Sequence, residues 1–212
     1  MQMLFTIVGG VPMTLFITIV ALGIGVLGGI PLLLARRSRF FVPRLIARVL
    51  IELLRGIPPI VWLFIVFYGF ANALPALTPI LAAVIGLGLI SCAYMAEIYR
   101  GGMSSIAAGQ WEAAEALGMN HRSVLAKVIG PQVFRVSVPA GATYAIGLLK
   151  DSSVAYTIGV SEIVFYANDQ SRQTSAAILP FVVAAAVYIV MTIPCAWGAR
   201  SLDAKLRRRV AR

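Results

Sequence analysis

From Val11 to Ala35 the chain carries no charged side chain. At 1.5 Å per residue such a run exceeds the ~30 Å hydrocarbon core of a bilayer. A backbone in lipid must satisfy its own hydrogen bonds, so the run is required to be helix. Comparable stretches follow: Leu45–Leu54 continuing through Ile57–Phe70, then Pro79–Tyr99, Phe134 to about Leu149, and Ala176–Ala199. The pattern predicts an all-α integral membrane protein with five transmembrane helices, in one membrane domain over residues 1–212. Composition agrees, with 60% of the 212 residues hydrophobic and 12% charged, about half the charged share of a soluble domain.

A net charge of +10 could suit nucleic acid, but the basic residues are placed otherwise. They sit in short connections beside apolar runs, which is how membrane orientation is encoded. Arg36, Arg37, Arg39, Arg44, Arg48 and Arg55 follow the first span. Arg100, Arg122, Lys127 and Arg135 flank the connection after the third, and Arg200, Lys205, Arg207, Arg208, Arg209 and Arg212 follow the fifth. The first ten residues and the Gly69–Thr78 connection have no Lys or Arg. The expected orientation is N-terminus outside and C-terminus inside, as an odd number of spans requires. The first run lacks a charged leader and a small-residue cleavage site, so it reads as a retained span.

Local signals refine this plan. Gly25 and Gly29 form a small-xxx-small face suited to close helix packing within the bundle. Pro58 and Pro59 remove two amide donors and disfavour helix just before them, which predicts a break between Leu54 and Ile60. Cys92 and Cys195 lie in apolar stretches as buried thiols without metal-ligand spacing. Between the third and fourth spans, GQWEAAEALG (Gly109–Gly118) is polar, Ala-rich and closed by glycine. Gln110–Leu117 favours helix, Gly118 supplies a stop, Asn120 can cap a second helix through Lys127, and Pro131 ends it. The product is a cytoplasmic helix pair within a loop of about 104–131.

Ionisable residues inside apolar segments are functional candidates by default. Lys150 and Asp151 lie between two apolar runs, either as a paired couple at the outer interface or as a solute contact in a wet cavity. Glu97, late in the third span, has Arg100 at i+3, and the simplest role is an ion pair at the cytoplasmic end. Arg55 falls at the broken end of the second span. For a zwitterionic solute, Asp151, Ser152 and Ser153 offer suitable polar chemistry at one point, and Trp62, Tyr94 and Tyr156 are aromatic residues able to line a pocket or pack the core. None of the three lysines stands in a phosphate-binding loop, and no HExxH, GxSxG or Cys/His cluster occurs. The chain therefore reads as a non-enzyme that carries no cofactor. Five spans are few for a solute path, which favours a two-fold pair of such subunits.

Three motifs carry a resemblance. Glu112-Ala113-Ala114, then Gly118 and Pro131, resembles the EAA loop of ABC-transporter membrane subunits. Ile51–Gly69 and Ala93–Met119 are similar to signatures of the polar amino acid permeases (the histidine, glutamine, arginine and opine group, with a type I importer fold), as is Leu148–Ile163. The departures are Val128 for Ile, Gly130 for Leu and Ile57 for Thr. The resemblance implies a permease subunit that forms half of a translocation path in a bacterial cytoplasmic membrane. Gly109, Glu112, Ala113, Ala114 and Gly118 would engage a separate ATPase. Two ATPase subunits would bind ATP and Mg, a second permease, identical or homologous, would complete the path, and an extracytoplasmic binding protein would deliver an amino acid or related solute. It also favours a solute-facing Asp151; Lys150, Ser152, Ser153, Tyr94, Glu97 and Arg55 are further path candidates on their residue chemistry alone. The alternative is a self-sufficient channel or ion-coupled transporter relaying charge through Glu97, Lys150 and Asp151.

Overall fold

The computed structural model describes residues 2–70, 73–174 and 177–208, and every regular element among them is helical. Arg209, Arg212, Ala176 and part of the Gly69–Thr78 connection lie outside the described residues. In chain order the helices are α1 (Gln2–Val8), α2 (Val11–Arg36), α3 (Phe41–Gly56), α4 (Pro59–Phe70), α5 (Pro79–Ser104), α6 (Ala108–Ala116), α7 (His121–Ser123), α8 (Gly130–Asp151), α9 (Ile163–Gln173) and α10 (Leu179–Arg208). A π-type turn over Val124–Ile129 joins α7 to α8, and a 3₁₀ segment over Ser152–Ile158 follows α8.

Three stretches are long and apolar enough to cross a membrane: Gln2–Arg36, Pro79–Ser104 and Leu179–Ser201. The pair α3–α4 makes a fourth if taken as one broken span. Its two halves meet at 106°, so the second apolar stretch is no straight rod. The hinge is Ile57, held extended at φ −96° and ψ 133° ahead of Pro58, as a residue before proline prefers. At 22 residues α8 is about 33 Å long. It includes Arg135, Lys150 and Asp151 and is less apolar than the three spans.

The centre of the bundle is α5, laid along α2 in the most extensive helix contact of the described residues. The buried stripe of α2 is Thr14, Ile17, Thr18, Ala21, Gly25, Gly29 and Leu33, a 3.6-residue rhythm, and its glycines Gly25 and Gly29 lie against α5. A Cβ on Gly25 would overlap Ser91, and one on Gly29 would sit 2.8 Å from the Met95 Cβ. The small-xxx-small face is thus a packing contact within one chain. Tyr99 crosses the same seam, its hydroxyl donating to the Val26 carbonyl at 3.0 Å. Cys92 is half-buried beside this seam, while Cys195 is exposed on α10, contrary to its expected burial.

Pro131 does not end the second cytoplasmic helix. In the π-type turn the Gly130 N–H bonds to the Leu125 carbonyl, five residues back. This shift puts Pro131 in the first turn of α8, at a junction where the regular bonding ladder is already interrupted and a residue without an N–H is tolerated. His121 to Asp151 is therefore one unbroken helical run.

Candidate functional site

The elbow between α5 and α8 is built from local rules. Helix α6 closes with Gly118 at φ +67°, a left-handed position that glycine adopts without strain. The Gly118 N–H returns to the Glu115 carbonyl at 2.9 Å and the Met119 N–H to Ala114 at 3.2 Å. Asn120 then caps α7, its Oδ1 accepting from the Ser123 N–H at 2.9 Å. Ala114 is the buried residue of α6, set in a pocket of Val124, Ile129 and Val133 at the base of α8. Gln132 on α8 donates its amide N–H to the Gln110 Oε1 at 3.1 Å. Gly109, Glu112, Ala113 and Glu115 remain exposed, and Leu117 is 79% exposed. An added Cβ at Gly109 meets nothing within 4 Å, so nothing in this chain demands glycine there.

Helix α8 connects that elbow to the sequence-expected solute residues. Lys150 and Asp151 are exposed at its far end, and Ser153 is partly exposed. Ser152 is fully buried and donates its hydroxyl to the Leu149 carbonyl at 2.8 Å. A cavity of about 270 Å³ lies beside this end, lined by Lys150, Ser153, Val164, Phe181 and Tyr188 among others.

Tyr94, Glu97 and Arg55 gather at a different level. Tyr94 stacks on Tyr144 of α8 with ring centroids 4.8 Å apart, and the Arg55 guanidinium lies 5.1 Å from the Tyr94 ring centre. Tyr144 and Ser91 share a hydrogen bond at 2.9 Å. Trp62 packs close by, its indole N–H buried without a protein acceptor. Glu97 receives Arg36 from α2, Arg55 from α3 at 3.8 Å, and Arg100 one turn on at 3.0 Å. Among the described residues, the candidates therefore form three groups: the α6 elbow, the Glu97 cluster and the Asp151 end. Residue spacing could reveal Arg100, but Arg36 and Arg55 reach Glu97 only through tertiary packing.

Two further residues had no strong signal in the sequence. Glu162, a lone carboxylate within the apolar run Val154–Phe165, is fully buried, and Tyr188 of α10 donates its hydroxyl to it at 2.9 Å.

Comparison with known proteins bears on the chain as a whole. Residues 21–208 match the family described as the binding-protein-dependent transport system inner membrane component. The chain is 34% identical to the probable amino-acid permease protein YxeN of Bacillus subtilis, covering 89% of this chain and 85% of that one. It is 34% identical to the L-cystine transport system permease protein TcyB of Bacillus subtilis, covering 96% and 88%. A crystal structure of an amino acid ABC transporter with histidines superposes with a TM-score of 0.89 at 32% identity, over 94% of each chain.

Proposed function

The chain belongs to the family of inner membrane components of binding-protein-dependent transport systems, and from that premise we propose how it works. It is the permease subunit of an ATP-driven importer, and its solute is an amino acid or a close relative such as an opine. Residues 1–212 act as one membrane domain of five helices, with α8 as the fourth and the α3–α4 pair as the second. The N-terminus faces outward and the C-terminus inward, in a bacterial cytoplasmic membrane. A second permease completes the path and a binding protein delivers the solute outside. Two ATPase subunits, which hold ATP and Mg, dock inside on Gly109, Glu112, Ala113, Ala114 and Gly118.

The observation that carries this reading is the seating of α6 on the base of α8. Ala114 and the Gln110–Gln132 bond tie the elbow to a helical run that ends at Asp151. A push on the exposed face of α6 is then delivered to the solute end about 33 Å away. Asp151 would take the solute ammonium or a cationic side chain. The Trp62 N–H and the Arg55 guanidinium would take acceptors along the path. Glu97, held by three arginines, acts as a clamp rather than as a free relay carboxylate.

The direct test is purification of the tagged chain in mild detergent from its native membrane. An ATP-binding subunit and a second permease should co-purify. Glu112→Lys should leave membrane insertion intact while lowering ATPase recovery and uptake on the order of tenfold or more, because a reversed charge is pressed against its docking site. Wild-type uptake in that variant would remove the docking assignment. Asp151→Ala should raise the half-saturating solute concentration roughly tenfold with ATPase recovery unchanged. Unaltered affinity and selectivity would leave Asp151 as a surface charge. A chain that purifies alone from membranes in which its transport is active would favour the ion-coupled alternative.

A further inference from the structure

Six buried polar residues occur among those described, and the one ionisable member, Glu162, is bonded to the hydroxyl of Tyr188. Glu162 has no basic partner among the described residues. Its Oε1 accepts from the Phe165 N–H at 2.7 Å, capping α9, and its Oε2 accepts from Tyr188 at 2.9 Å. Thr14 of α2 accepts from the neighbouring Ile163 N–H at 3.4 Å. Gly10 lies flat against the same corner, where a Cβ would come 2.5 Å from the Glu162 carbonyl carbon. Burying an ionisable group is costly unless its bonds are made, so a site with this many made bonds is rigid.

The topology gives this cluster a task. Ser152 opens the segment that leaves α8 and Glu162 closes it, just ahead of α9. Tyr188 bonds Glu162 at the closing end and lines one cavity with Lys150 and Ser153 at the opening end, so a single side chain of α10 sits as a staple across the base of the loop 152–162. Asp151 is the residue immediately before that staple. We propose that the Glu162–Tyr188 bond is a positioning latch, which fixes the loop 152–162 to α10 and so sets the solute affinity of Asp151. The proposal rests on the reading of Asp151 as a solute contact. It makes Glu162 and Tyr188 positioning residues that need not touch the solute.

The test uses the complete importer in proteoliposomes, with labelled L-arginine, L-glutamate and L-cystine as probes. It also uses hydrogen exchange of the amides across 152–166. Tyr188→Phe removes one hydroxyl with little change of volume. It should raise the half-saturating concentration about fivefold, keep the maximal rate within about twofold, and speed exchange across the loop. Glu162→Ala should do the same, and the double variant should be no worse than either single one. Glu162→Gln can keep its oxygen on the Phe165 N–H and donate its amide N–H to the Tyr188 oxygen, so it should restore both readouts to within about twofold of the wild type, a rescue that general destabilisation would not give. Wild-type affinity and exchange in Tyr188→Phe would overturn the latch, as would additive losses in the double variant. Asp151→Asn is the separate control. If it leaves affinity unchanged, the solute-contact reading fails, while the exchange data still decide whether the latch exists.

Discussion

Glu97→Ala should be the most damaging single change of a charged residue in this chain. Three guanidiniums converge on one carboxylate whose side chain is 14% exposed, and they come from α2, α3 and α5. Removing the carboxylate leaves three cations facing one another beside an apolar core. Taking one partner from a buried ion pair costs about 3–5 kcal/mol, mainly because the remaining charge is uncompensated. The expected result is a solubilised importer whose melting temperature falls by roughly 10 °C. The partners should rank by burial. Arg36, at 16% exposed, should matter most, then Arg55 at 34%, then Arg100 at 44%. Arg100→Ala should cost at most about 1 kcal/mol, the ordinary value of an exposed pair. Thermal unfolding followed by size-exclusion chromatography reads the series. A Glu97→Ala protein as stable as the wild type would show that the cluster is not a clamp.

That cluster also marks where sequence reasoning stops. Arg100 is legible because helix geometry brings i and i+3 together. Arg36 and Arg55 reach Glu97 only because α2 and α3 both pack on α5, and no local pattern announces that. The elbow was legible for the opposite reason: Gly118 and Asn120 do their work within a few residues of themselves. The break at Ile57–Pro58 was legible from the two prolines, but its 106° angle was not, since the angle depends on what each half packs against. Pro131 misled because a proline stops a regular α-helix, and here a π-type turn just ahead of it moved the missing donor to a harmless place. Glu162 gave only a weak trace, a single carboxylate in an apolar run. Its partner lies on α10 and appears only when the chain is folded.

The glycines of α2 offer the other large effect, with a control built into the same segment. In GIGVLGG, Gly23 is exposed and a Cβ there meets nothing within 4 Å. Two residues on, Gly25 is buried, and a Cβ would strike Ser91, whose hydroxyl is bonded to Tyr144 at 2.9 Å. At Gly29 the obstacle is the α5 backbone itself, with the Ala96 nitrogen 2.9 Å away. Backbone cannot rotate aside as a long side chain can, so α2 and α5 would have to separate. Separation weakens van der Waals contact along the whole seam, and in a membrane that contact is a main force holding helices together. Gly23→Leu should therefore give normal levels of monodisperse protein in membranes. Gly25→Leu and Gly29→Leu should lower the recovered, correctly assembled fraction on the order of tenfold, since overpacking of about 1–3 kcal/mol is compounded by the lost seam. Because Ser91 is bonded to Tyr144, and Tyr144 stacks on Tyr94, any Gly25 variant that does assemble should also disturb the aromatic pair beside Arg55. Equal recovery of all three variants would mean that α2 does not depend on close approach to α5, and that the order of packing described for this bundle is wrong.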